Sequence, residues 1–258
     1  MRIVVLVKPV PVTTGQERLG PDLRVDRVGV PTVVNANDEY ALEAALKLVE
    51  AAGEGEVTLL TMAPGGAPDT LRKALAMGAH RAVHVSDPAL AGSDTLTTVR
   101  VLSAALGRLE YDLVLAGADT SDGGGGVVAA GIAVSVGLPY LSYAAKIEPA
   151  GGRVAVHRIS PTGYDRIEAA LPALVVATQA LGEPRYPSLK GIMAARSKEI
   201  ATWSLADLEL DGQAVGGEVA TTAVVATRTP RRGRRPGSSA GRPPRPPRRS
   251  SSSWPSGG

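Results

Sequence analysis

Over residues 3–136, short apolar runs alternate with Ala- and Leu-rich stretches of helical spacing, and that order leaves few folds open. Residues 3–7 read as a strand, and 38–52 as a helix with Tyr40, Leu42, Ala45, Leu46 and Val49 along one face. Residues 57–62 form the next expected strand and 68–77 the next helix, closed by Gly78 at the C-cap. A strand over 82–85 follows, then a helix over 93–109 with Asp94 in its first turn. A strand over 113–116 and a helix over 127–136 complete the series. Strand-then-helix repetition calls for right-handed crossovers between parallel strands. The expected class is α/β, a doubly wound, mostly parallel sheet with helices on both faces. The chain has no Phe and two Trp, so Val, Leu, Ile and Ala must fill the core, which suits such a sheet.

After Pro139 the pattern changes. Residues 144–148, 153–159, 166–170 and 174–178 are short extended pieces separated by Gly and Pro, expected to enlarge the sheet as antiparallel or mixed strands.

With no Cys in 258 residues, disulfides, thiolate metal ligands and thiol catalysis are excluded. His80, His84 and His157 lack the grouping that a three- or four-ligand zinc site needs, and are read as core or surface residues. The start, MRIVVLVKPV, is too short to span a bilayer and lacks a cleavage pattern, so a cytoplasmic protein is expected. The formal charge of +3 is divided unevenly: nine Arg and no acid fall within 228–258, leaving 19 basic against 25 acidic residues elsewhere. An acidic body with a basic tail is no nucleic-acid-binding pattern.

The stretch 113–139, LVLAGADTSDGGGGVVAAGIAVSVGLP, is the best candidate for chemistry. A strand end, a turn at Gly117 and four glycines precede a helix whose first N–H groups lack intrahelical acceptors, which together make a phosphate cradle. A flexible linker is the alternative reading. Neither a Walker motif nor GxGxxG after the first strand is present. In a doubly wound sheet, ligands sit beyond the carboxyl ends of the strands, so the ends at Leu6, Met62 and Ala116 should converge there.

A second stretch, EPRYPSLKGIMAARSKEI over 183–200, follows the apolar run LPALVVATQA. Pro184 and Pro187 stiffen it, and Leu189 lies between Ser188 and Lys190, a poor place for a core residue. Two readings stand: an anchor offered to a partner, or a connection whose Leu and Met tuck beneath it.

This segment resembles the recognition loop of the small (beta) subunit of electron-transfer flavoproteins, which reads close to NEPRYPSFKGIMAAKKK. The resemblance also covers RIVVLVKPVP at 2–11, NANDEYALEAALKL at 35–48 and LRKALAMGAHRAVHV at 71–85, in order. It implies one nucleotide-binding domain over 1–200 with a recognition loop at 177–199, then a C-terminal extension toward a partner subunit at 201–227. It implies an AMP site at Leu6, Asn35, Ala36, Asn37, Asp38 and Met62. That site continues through Gly117, Ala118, Asp119, Thr120, Ser121, Asp122, Gly123, Gly124, Gly125, Gly126, Val127 and Val128. Relatives often carry a polar or hydroxyl side chain within 125–128, where this chain has Gly and Val. Phosphate contacts are therefore expected from backbone N–H groups and from Thr120 or Ser121.

The resemblance further implies an electron carrier without catalytic residues of its own, with a place in fatty acid β-oxidation. An alpha subunit would be its heterodimer partner and would hold most of the FAD. Donors would be acyl-CoA dehydrogenases and other flavoprotein dehydrogenases, docked through Glu183, Arg185, Tyr186, Leu189, Ile192 and Met193, and the acceptor a membrane quinone reductase (the electron-transfer flavoprotein–quinone oxidoreductase). Two other readings remain: a bifurcating relative with a second flavin in place of AMP and NADH as donor, or a stand-alone adenine-nucleotide-binding domain.

Residues 228–258 are 28 parts Arg, Pro, Ser and Gly out of 31, too poor in apolar side chains to offset ordering entropy, so disorder is expected. The segment reads as a tail for nucleic acid or an anionic surface, as a solvated tail, or as a frame shifted near Pro230. Absence of the family's PxRTAG-like turn and apolar helix favours the last.

Overall fold

Nine strands build the central sheet, in the order β11-β5-β4-β1-β6-β10-β7-β8-β9. In chain order the elements of this computed structural model are β1 (Arg2–Leu6), β2 (Pro9–Pro11), β3 (Thr32–Val34), α1 (Ala36–Ala52), β4 (Glu56–Met62), α2 (Ala67–Met77), β5 (Arg81–Val85) and α3 (Thr95–Leu106). There follow β6 (Leu113–Gly117), α4 (Val128–Val136), β7 (Tyr140–Ala150), β8 (Arg153–Ser160), β9 (Gly163–Ala170), β10 (Ala173–Ala177), α5 (Leu189–Ala195) and β11 (Ile200–Trp203). The structure describes residues 1–12, 19–27 and 29–228, and Met1–Val225 form one unit. Of the second unit, Ala226–Gly258, only 226–228 are described, so the expectation of a disordered tail lies outside the described residues apart from Arg228.

The six strands β11 to β10 in this order, and β7 against β10, pair in parallel; β7-β8-β9 form an antiparallel meander, and β2 and β3 pair antiparallel in a small sheet of their own. The late strand β10 runs between β6 and β7, which is why its sequence ALVVA is buried at every position while the edge strand β9 is exposed over its first four residues and alternates only over its last four. Side chains alternate across the sheet into two apolar layers. Ile3, Val5, Leu59 and Leu115 face α1 and α2, packing with Leu42, Leu46, Leu71 and Leu75. Val4, Leu60, Val83 and Val114 face α3 and α4, packing with Leu102, Leu106 and Ile132. Helices thus cover both faces, as expected for the doubly wound class. Leu42 is fully buried, and its truncation to Ala would cost about 2–5 kcal/mol.

Several boundaries differ from the sequence reading. Helix α3 ends at Leu106, three residues early, and Asp94 is its N-cap rather than a first-turn residue: its Oδ1 accepts the Thr97 N–H at 2.9 Å. Its Oδ2 accepts the Thr221 N–H and hydroxyl at 2.8 and 2.9 Å. The Thr97 N–H, together with these Thr221 bonds, holds the Asp94 carboxyl well below its usual range. The segment 201–225 is tied back onto the body at this point, and through Leu205, Leu208 and Val215, which are buried among the side chains around α3. The pair β2-β3 and the strand β11 are additions; each is three or four residues long, and β2 carries two prolines at a sheet edge.

Candidate functional site

The sheet reverses its order at β1: β4 and β5 follow on one side, β6 and β10 on the other. In an open α/β sheet the crevice beyond the carboxyl ends at such a point is the natural ligand site. Leu6, Met62 and Gly117 end the three adjacent strands β1, β4 and β6, so the expected convergence is present. Leu6 and Met62 contribute to the apolar layer beneath the crevice.

Above it, the start of α1 is bolted to the loop after β6. Asn35 occupies the N-cap position of α1 yet makes no side-chain cap bond. Its Nδ2 instead donates to the Asp119 carbonyl at 2.8 Å, and its Oδ1 accepts the Ser121 N–H at 3.2 Å. Asn37 adds a second link from its Nδ2 to the Asp119 carboxylate. Gly117 is required for this approach. A Cβ there would run into the Asp38 carboxylate and lie 2.8 Å from the Asn37 Cβ.

Three carboxylates surround the loop, and the structure neutralises two of them. Asp122, its side chain almost wholly buried, is paired with Lys8 at 2.9 Å and with Arg27. Burial pushes its carboxyl up, but the Lys8 bond and charge, with Arg27, outweigh this and hold it below its usual value. Asp38 is 5% exposed and accepts the Lys8 N–H at 2.8 Å. Burial pushes its carboxyl up to about 7, against the Lys8 N–H, the Asn35 side chain and the Gly117 N–H. Burial thus moves the Asp38 titration toward neutral pH and favours its uncharged form relative to an ordinary carboxylate. Lys8 and Arg27 were not among the sequence-predicted residues. Lys8 carried a signal, since it lies two residues past the end of the first strand; Arg27 carried none.

The glycine run is exposed. Gly124 and Gly126 have φ of +55° and +63°, and nothing lies within 4 Å of where a Cβ on Gly124 or Gly125 would sit. Beyond it, the first-turn N–H groups of α4 have no acceptor within the helix. Two cations over one carboxylate, open glycine backbone and a helix start are a donor set suited to a phosphate. Thr120 and Ser121 lie on the same loop, and the Ser121 N–H is already committed to Asn35.

The segment 183–200 contains a helix that its Pro187 and Gly191 disguise. Ser188 caps α5, its Oγ accepting the Gly191 N–H at 3.0 Å. On and before α5, Tyr186 is 95% exposed, Leu189 75%, Met193 64% and Ile192 46%. These apolar side chains do not tuck under the loop, so the buried-connection reading fails. Arg185 behaves differently, with its guanidinium directed inward onto Glu43 and Glu50 of α1.

Among the described residues, no group of three or more His, Asp or Glu could hold a metal ion, and no helix is long and apolar enough to cross a membrane. His80 Nδ1 accepts the Val57 N–H at 3.0 Å, and His84 Nε2 bonds the Ala63 carbonyl at 2.8 Å, so both serve the backbone.

The sheet order, the helices on both faces and the polar-bolted loop at the carboxyl ends of β1, β4 and β6 together define a doubly wound α/β protein. Residues 22–208 match the family described as electron transfer flavoprotein domain. The chain is 40% identical to the electron transfer flavoprotein subunit beta of Thermoanaerobacterium thermosaccharolyticum, covering 89% of this chain and 88% of that one. It is 40% identical to the subunit of the same name in Mycobacterium tuberculosis, over 87% of each chain. It is also 37% identical to the caffeyl-CoA reductase-Etf complex subunit CarD of Acetobacterium woodii, over 89% and 88%. The chain belongs to the electron transfer flavoprotein family, among its beta subunits.

Proposed function

We propose that this chain pairs with an alpha subunit and serves as the beta half of an electron carrier. It would accept electrons from acyl-CoA dehydrogenases and related flavoprotein dehydrogenases and pass them toward a membrane quinone reductase. The observation that carries this reading is the exposed set Tyr186, Leu189, Ile192 and Met193 on a capped helix, an apolar surface with no intramolecular use. Membership of the beta-subunit family supports it.

FAD, held mainly by the alpha subunit, would supply the redox chemistry. This chain's residues bind and position. Gly124, Gly126 and the start of α4 would hold the phosphate of AMP, with Lys8 and Arg27 offsetting its charge. Asn35 and Asn37 would fix the loop that makes those contacts, and Asp38, whose burial favours its uncharged form, would spare the anion a repulsive neighbour.

The open space above Gly124 and Gly125 keeps one further reading in view, a second flavin in place of AMP. Co-expression with an alpha subunit tests both. Acid denaturation of the purified heterodimer should release AMP and FAD in equal amounts. Flavin at twice that level, without AMP, would support the second reading. No heterodimer and no flavin would overturn the proposal.

A further inference from the structure

The docking loop is braced at both ends by cations that reach across to other helices. At its entry, Arg185 donates from its backbone N and its Nε to Glu43 Oε2 at 3.1 and 2.8 Å. Its Nη1 and Nη2 grip Glu50 at 2.5 and 2.9 Å, and Nη2 also reaches Glu43 Oε1 at 3.3 Å. Glu43 is buried, which pushes its carboxyl up, yet the Arg185 bonds and charge outweigh this and leave it below its usual value. Arg185 is in turn raised above its already high value by Glu50 and then Glu43. At the loop's exit, Arg72 of α2 donates to the Ala195 carbonyl at 2.6 Å, and Lys198 Nζ to the carbonyls of Leu75 and Ala79 at 3.0 and 2.6 Å. A Cβ on Gly191 would strike the Ala76 carbonyl, so α5 lies directly on α2.

We propose that Arg185, acting through Glu43 and Glu50, is a positioning residue for docking of the electron-donating dehydrogenase. This rests on the docking reading above and extends it to Glu43 and Glu50 of α1, which lie outside the loop. A planar guanidinium bridging two carboxylates about two helical turns apart fixes both the entry point and the direction of the chain leading to Tyr186 and Leu189. A loop held in its bound form before encounter does not lose that ordering entropy on docking. Arg185 therefore affects affinity without touching the partner.

The test uses the full heterodimer and an acyl-CoA dehydrogenase reduced by its acyl-CoA substrate, with Arg185→Gln, Glu50→Gln, the two together, and Leu189→Ala. Arg185→Gln should raise the half-saturating carrier concentration about tenfold with the saturated rate within about twofold, because only preorganisation is lost. Glu50→Gln should move it the same way by several-fold, and the double variant should resemble Arg185→Gln alone, since the two act as one pair. Should Arg185→Gln fail to fold, Glu50→Gln, at a half-exposed position, carries the test. An effect of Arg185→Gln with none from Glu50→Gln would mean that Arg185 touches the partner directly, and would overturn the proposal. So would unchanged half-saturation in both while Leu189→Ala weakens docking. If Leu189→Ala also leaves docking unchanged, the docking reading itself fails and this proposal with it.

Discussion

Asn35 donates from Nδ2 to the Asp119 carbonyl at 2.8 Å, so the residue that opens α1 also holds the loop that follows β6. An Asn at an N-cap ordinarily spends its side chain on its own helix. Here the bond crosses to another element, and Asn35 is 1% exposed, so nothing replaces it on removal.

Asn35→Ala should therefore cost about 1–3 kcal/mol, the usual penalty for leaving buried partners unsatisfied, and should release the loop. Urea denaturation should register the loss of stability, and nucleotide assay after acid treatment should show depleted AMP. Asn37→Ala, at a half-buried position, should do less on both counts.

Parallel strands were readable because burial on both faces leaves uninterrupted apolar runs such as IVVL and LVLA. The strands β2, β3 and β11 were not, since three or four residues are too few for a period to show. Helix α5 was hidden for a different reason. Its apolar residues Leu189, Ile192 and Met193 point to solvent, so the amphipathic signature that marks a packed helix is inverted. In the crevice, Asn35, Asn37 and Asp38 could be placed by resemblance, while Arg27 reaches Asp122 from a segment with no pattern of its own. Arg185 was expected to face a partner because it falls in the stretch that resembles the recognition loop. That its charge is satisfied by Glu43 and Glu50, distant in sequence, depends on tertiary packing alone.

The glycines of the loop should separate into tight and open positions. Gly117→Ala should destabilise by about 1–3 kcal/mol and abolish nucleotide retention, because the added methyl pushes on Asp38 and Asn37. Gly125→Ala should leave stability within about 0.5 kcal/mol, as it enters open space. Gly124→Val and Gly125→Val together should remove AMP, since Val disfavours the positive φ at Gly124 and blocks backbone approach. Thermal melts and released nucleotide, measured on the same samples, check all three.

Asp38 should give the stability curve a recognisable slope. Its carboxyl sits near 7 when folded against an ordinary value of 3.8. The folded state thus holds this proton more tightly than the unfolded chain, and stability must fall as pH rises from about 4 to about 7. Between pH 5 and pH 7 the wild-type chain should lose on the order of 2 kcal/mol relative to Asp38→Asn, which cannot ionise. Parallel urea titrations at the two pH values measure the difference; equal slopes for both proteins would place Asp38 as a carboxylate throughout.

Leu189→Ala should leave the fold, the AMP and the flavin untouched while weakening the dehydrogenase contact. Leu189 is 75% exposed and follows Ser188, whose hydroxyl caps α5, so its removal disturbs neither the core nor the helix start. A central apolar anchor commonly contributes on the order of 2 kcal/mol to an interface, or a loss of roughly thirtyfold in affinity. The neighbouring Met193, less exposed and one turn further along the same helix, should lose less on truncation to Ala. Electron-transfer rates from an acyl-CoA dehydrogenase, measured well below saturation, should fall in that order. Rates at saturation should stay level, because neither side chain approaches the flavin-bearing subunit's chemistry in this reading. Equal rates for wild type and Leu189→Ala below saturation would remove the loop from the docking surface.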